Sequence, residues 1–177
     1  MSDIAEKLPA STRRIGLLLL GFLLAGYVAL VAYSSKQLPD RVATHFDLHG
    51  KANGWMTRTQ HVKFALGVGI GTPVLVLGVF ALVTKMKGWG LNIPNKEFWL
   101  APDRQGATFD FLRTQGLWLA GLILAFHAGM FESIVIANSH TPALLSNVHI
   151  WGLAGVFLLL LAIWIIVLLR RFRLPAA

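Results

Sequence analysis

An all-α membrane protein, a bundle of four transmembrane helices with both termini in the cytoplasm, is the fold class predicted by three observations. Of 177 residues, 55% are hydrophobic and only 14% charged, and the mean hydropathy is +0.63, too apolar for an ordinary soluble domain. Four apolar segments, residues 15–33, 64–83, 116–137 and 150–169, each approach the ~20 helical residues that cross a hydrocarbon core of ~30 Å. Lys and Arg gather at the ends of these segments, as they do around membrane spans. Inside lipid a spanning segment must satisfy its own backbone hydrogen bonds, so all four are helices. The whole chain, 1–177, reads as a single membrane domain with an outer loop, 34–63, and an inner loop, 84–115.

The first span follows Arg13 and Arg14 and resembles a signal peptide at first sight. Its apolar run exceeds the ~7–15 residues of a signal core and leads into Tyr33-Ser34-Ser35-Lys36 without a small-x-small cleavage site, so it is read as a retained helix. In the outer loop, Val42, Phe46 and Leu48 are expected to dip towards the bundle, with turns at Gly50, Asn53 and Gly54 and an aromatic anchor at Trp55. The second span carries Gly67, Gly71 and Gly78, and the third Gly121, Ala125 and Gly129. Rows of small residues let helix backbones approach, so both are expected at helix contacts. Between these spans Gly88, Gly90, Pro94 and Pro102 break the inner loop into turns, and a helix is expected to start from Pro102. Trp89, Trp99 and Trp118 suit the inner interface, and Tyr33, Trp55 and Trp151 the outer one.

Orientation follows from basic residues by side. Cytoplasmic termini put eleven of the 16 Lys and Arg inside and leave Lys36, Arg41, Lys51, Arg58 and Lys63 outside. The formal net charge of +8 therefore reflects topology and contact with lipid headgroups, and nucleic acid is not an expected partner. The absence of cysteine excludes disulfides, thiolate metal sites and cysteine nucleophiles.

Two polar stretches carry a resemblance. Leu38-Pro39-Asp40, Thr44-His45-Phe46, Gly50 and Gly54-Trp55 lie outside; Asn92-Ile93-Pro94-Asn95-Lys96-Glu97-Phe98-Trp99-Leu100-Ala101-Pro102 lies inside. Over residues 15–113 the chain resembles a bacterial membrane family of unknown function whose domain also forms the N-terminal part of SdpI-like toxin-immunity proteins. The resemblance implies the same topology, a place in the bacterial cytoplasmic membrane, and a role beside proteins that protect a producer cell from its own membrane-active peptide. The chain departs from that pattern in stopping after four spans and in having Asp47 where the family often has Asn.

His45-Phe46-Asp47-Leu48-His49 is the densest group of metal-capable residues. If extended, His45 and His49 stand about 13 Å apart at ~3.3 Å per residue; if helical, they meet and Asp47 points away. Either geometry leaves a metal site short of ligands unless Glu132, His140 or His149 joins it. Glu132 continues the row of Gly121, Ala125 and Gly129, and a carboxylate within a span implies a function or a buried partner. His127 lies about 140° around the helix from Glu132 and is expected to bond to another helix, while His61 is expected at the interface. The serines lack a nucleophile-elbow context, and Gly67-Val68-Gly69-Ile70-Gly71 lies inside a span, not at a strand-to-helix phosphate loop.

The expected function is a non-enzymatic membrane protein that binds a membrane-active peptide or another membrane protein through residues 38–58. His45, Phe46, Asp47, His49, Trp55 and Glu132 are its candidate residues, and Asn92, Pro94, Asn95, Glu97, Trp99 and Pro102 form an inner motif. The alternatives are a metal-dependent enzyme or metal-handling protein, with candidate ligands His45, Asp47, His49, Glu132, His140 and His149, and an accessory subunit of a larger complex. No cofactor is specified by these residues, and a homo-oligomer is compatible with the small-residue rows.

Overall fold

A computed structural model describes residues 10–174 of the chain. In order the elements are α1 (Ala10–Ser34), a 3-10 turn (Ser35–Gln37), β1 (Arg41–Phe46), β2 (Ala52–Thr57), α2 (Arg58–Lys85), the short α3 (Lys96–Trp99), α4 (Gln105–Asn138) and α5 (Asn147–Arg171). The helices α1, α2, α4 and α5 are long and apolar enough to cross a membrane. The protein is a multi-pass integral membrane protein, and its exposed apolar helix surfaces face lipid.

Each helix runs past its apolar segment. Hydrophobicity marks where lipid begins, whereas the helix end is set by whatever caps its backbone. α2 starts six residues before the expected span because Thr57 and Gln60 form a capping box: the Gln60 N–H donates to Thr57 Oγ1 at 3.2 Å, and the Thr57 N–H donates to Gln60 Oε1 at 3.0 Å. The 34 residues of α4 reach about 51 Å at 1.5 Å per residue, well beyond a hydrocarbon core. Its first turns, with Asp110 and Arg113, thus extend beyond the apolar run.

α4 is the axis of the bundle. On one side Leu117 packs on Gly16 of α1; on another Gly116 lies against Phe80 of α2; on a third Gly129 meets Leu153 of α5. The Trp164 indole of α5 donates to the Gln115 carbonyl at 3.2 Å. α5 itself has no buried residue. Buried side chains divide into two clusters, one built on Tyr27, Val31, Leu38, Val42, Leu124 and Phe131, the other on Trp99, Phe109, Phe111, Leu112 and Phe172.

Three expectations are corrected. Gly67, Gly71 and Gly78 meet no neighbour; the buried stripe of α2 is His61, Ala65, Gly69 and Pro73, at four-residue spacing. The Tyr27 ring selects that stripe: it lies on Gly69 and its hydroxyl donates to the Ala65 carbonyl at 2.7 Å. A buried phenol needs an acceptor, and the absent side chain of Gly69 gives the ring room to reach one. On α4, Gly121 and Gly129 do make helix contacts, but Ala125 is exposed. Trp99 is not in an interfacial belt but is only 2% exposed.

The region expected as an outer loop with turns at Gly50, Asn53 and Gly54 holds an antiparallel hairpin. β1 and β2 pair Arg41 with Thr57, Val42 with Met56 and Ala43 with Trp55; the register then shifts on either side of His45, which pairs with Gly54. Asn53 and Gly54 are therefore strand residues, not turn residues. Val42 is fully buried as expected, while Leu48 at the hairpin tip is 87% exposed.

Candidate binding site at the hairpin end

The hairpin is joined to the helices by side-chain amides that imitate a neighbouring strand. Asn138, the last residue of α4, accepts from the Ala43 N–H at 2.8 Å and donates to the Ala43 carbonyl at 2.9 Å, while also donating to Ile134 on its own helix at 2.8 Å. Asn147, the first residue of α5, donates to the Leu48 carbonyl at 2.8 Å, and the Leu145 N–H donates to the Gly50 carbonyl at 2.9 Å. At Ala43 the edge of β1 therefore has both backbone groups paired, and the turn is tied to the start of α5.

Asp47 closes the hairpin. Its carboxylate accepts the N–H of His49 at 2.8 Å and of Lys51 at 2.9 Å. The Lys51 amide bond, then the His49 bond, hold the Asp47 carboxyl below the ordinary carboxylate range. The side chain is committed to the turn, and the segment from 45 to 49 is neither a continuous strand nor a helix.

Beneath the hairpin lies a cavity of about 250 Å³ bounded by β1, β2, α2 and α4. Its mouth is formed by Thr44, His45 and Met56, and its walls by Phe64, Ala65 and Val68 of α2 and by Met130, Phe131 and Ile134 of α4. The register shift in β1 rotates the strand locally, and the Gly54 backbone leaves room for the His45 side chain, whose Cβ and ring a Cβ there would approach to 2.9–3.2 Å. His61 and His127 also line the cavity. His61 is buried rather than interfacial, 6% exposed and stacked on Phe131 with ring centroids 5.5 Å apart. Neither ring nitrogen of His61 has a hydrogen-bond partner among the described residues. His127 Nδ1 lies 2.8 Å from the Ile123 carbonyl of its own helix, not of another; a carbonyl only accepts, so Nδ1 carries the proton.

The other sequence candidates lie elsewhere. Phe46 packs on the hairpin-end cluster, and Trp55 lies under the Arg41 guanidinium, 4.9 Å from the ring centroid. Glu132 is turned to α1, where Ser34 Oγ donates to it at 3.4 Å. His140 shares a shallow depression with Lys51, Ala52 and Trp55, and the His149 N–H caps on Ser146 Oγ at 3.3 Å. His45, Asp47, His49, Glu132, His140 and His149 are thus distributed over separate places. Among the described residues no three His, Asp or Glu side chains form a group able to hold a metal ion.

The inner motif sits at the opposite end and is architectural. Asn95 adopts a left-handed conformation, φ 54°, and its amide donates to the Phe172 carbonyl at 2.9 Å. Trp99 accepts through its carbonyl from Thr108 at 2.9 Å and stacks edge-on with Phe172. Asn92, Pro94, Glu97 and Pro102 are exposed around that core. Residues missed from the sequence are Asn138, Asn147 and the buried role of His61. Asn138 and Asn147 had a signal, since each stands at the end of a span beside a connection rich in polar groups. His61 had one too, four residues before Ala65 on the buried stripe.

The profile of an uncharacterised family, described as a domain of unknown function (DUF1648), matches residues 20–68. The match covers most of α1, the hairpin and the first turns of α2, including His45 and His61, and ends before the Asn92–Pro102 motif. No curated protein and no solved structure matches the chain.

Proposed function

We propose that this protein is a non-catalytic membrane binding protein whose hairpin end receives a membrane-active peptide, a role related to the toxin protection given by the SdpI-like proteins it resembles. The observation that carries the reading is the fixed hairpin, which holds apolar side chains clear of the helices. Leu48 (87% exposed) and Trp55 stand on it, and Val148 and Trp151 lie beside it at the start of α5. Lys51 and Arg41 flank these groups. A rigid, partly apolar surface at a membrane boundary suits an amphipathic peptide, whose ordering cost is reduced by a receptor already in place. The basic-residue distribution supports an outward-facing hairpin and cytoplasmic termini in a bacterial cytoplasmic membrane. No specific observation favours the metal-enzyme alternative.

The test pairs a deletion strain with Leu48→Asp and Trp55→Ala strains under challenge by amphipathic membrane-active peptides. Loss of the gene should raise sensitivity, and the two variants should reproduce that loss while the protein remains in the membrane at normal amount. Unchanged sensitivity, with stoichiometric copurification of another membrane protein, would instead assign the hairpin to an accessory subunit.

A further inference from the structure

We infer that the cavity beneath the hairpin binds a single-chain lipid alcohol, with its hydroxyl on His61 and its chain between α2 and α4. The inference stands whether or not a peptide docks on the hairpin above.

His61 supplies the first reason. A neutral imidazole carries one donor and one acceptor, and both are buried here without a partner beside a cavity that the ring lines. Buried polar groups as a rule are satisfied, so a ligand able to donate or to accept is the natural complement. The two ring nitrogens diverge, so one hydroxyl bonds one of them, donating to the bare nitrogen or accepting from the protonated one. No Lys, Arg, Asp or Glu lines the cavity, so a phosphate, carboxylate or quaternary ammonium headgroup would be left without a countercharge.

Shape gives the second reason. At about 250 Å³ the space is smaller than the ~300–1,000 Å³ of drug-sized sites, which excludes a folded peptide segment and suits one chain. Of its polar lining, Thr44, His45 and His61 lie towards the hairpin and His127 lies deeper, while Phe64, Val68 and Met130 continue the wall along the helices. His127 lies eleven residues before the end of α4, about 16 Å down the axis at 1.5 Å per residue. Phe64 is 55% and Val68 36% exposed, so the same wall is reachable from the lipid. A molecule entering from the bilayer therefore meets the cavity in its own orientation, hydroxyl towards the interface and chain towards the membrane centre.

The experiment uses the full chain in phosphatidylcholine nanodiscs with a medium-chain alkanol bearing a diazirine, and maps the crosslinks by mass spectrometry. Saturable labelling of Val68, Met130 or Ile134, competed by unlabelled alkanol, is expected. His61→Phe keeps a ring on Phe131 and removes both nitrogens; it should reduce labelling about five- to tenfold, the scale of one neutral hydrogen bond, without lowering thermal stability. Val68→Trp, which fills the cavity from its lipid side, should abolish labelling with His61 intact. Three results would each overturn the inference: labelling of the cavity no stronger than of Leu158 and Leu159 on the open face of α5, which marks bulk lipid; equal labelling by a diazirine alkane lacking the hydroxyl; or labelling unchanged in His61→Phe. Absence of any labelling, with His61 hydrated in exchange measurements, would assign the cavity to water and overturn it too.

Discussion

At the hairpin end, polypeptide outside the membrane helices is held by directed amide bonds: Asn138 pairs with both backbone groups of Ala43, and Asn147 with Leu48. At the opposite end the corresponding polypeptide is held by rings and cations. Phe172 is 1% exposed between Trp99 and Phe111, and Arg171 lies over the Trp99 ring at 4.4 Å while Arg104 lies over Phe98 at 3.9 Å. The difference follows from what each end encloses. A strand brings unpaired N–H and C=O groups that must be answered at fixed positions, whereas the turns at the opposite end answer most of their own backbone, with Asn95 and Thr108 each taking up one further carbonyl, and are covered mainly by rings. The hairpin end is therefore positioned by geometry and the other end by volume, and a cavity with a defined lining occurs below the first.

This contrast predicts the largest effect at the packed end. Phe172→Ala should cost about 3–5 kcal/mol, as for large-to-small changes among buried rings, read as a lowered unfolding midpoint in detergent, with the hairpin amides still protected from hydrogen exchange. Asn138→Ala should cost about 1–3 kcal/mol, because it leaves the Ala43 N–H and carbonyl unpaired. Its loss of protection should be confined to β1 and β2. Combined, the two changes should add to within about 0.5 kcal/mol, since they share no partner; strong coupling would show that the two ends are one cooperative unit. A smaller loss, about 0.5–2 kcal/mol, is expected for Arg171→Leu, which keeps the aliphatic stem and removes the cation from Trp99.

The smallest effect is a pH dependence at Asp47. Its folded pKa lies below the ordinary 3.8, so the unfolded carboxylate takes up a proton first as pH falls. The stabilising contribution is complete above 3.8 and declines as pH passes down through the folded value. The amides of His49 and Lys51 should lose exchange protection in that window, and Asp47→Asn should remove the dependence. A loss already present at neutral pH would require another group.

How much was legible depended on which property wrote the pattern. The four spans could be read because lipid imposes a length and an apolarity on every helix that crosses it. Where α2 starts could also have been read from Thr57 and Gln60, whose spacing is that of a capping box. The hairpin was harder. Its residues neither alternate cleanly nor carry a two-residue turn, and the outer edge of β1 is met at Ala43 by Asn138, almost a hundred positions away in the chain. The His45-to-His49 group reads as metal ligands, but the Asp47 carboxylate is spent on the turn and the His45 ring lies against Gly54 at the cavity mouth.

By itself, then, the sequence determined that this is a four-span membrane protein with two polar ends, because transfer into lipid is a property of each segment alone. Only the tertiary structure decided which stripe of α2 is buried, that Asp47 makes a turn while Glu132 faces Ser34, and that His61, His45 and His127 border one cavity. Those are outcomes of packing between distant segments: Tyr27 reaching Ala65 past Gly69, and Asn138 reaching Ala43, select one face of each element from several that hydrophobicity alone leaves equivalent.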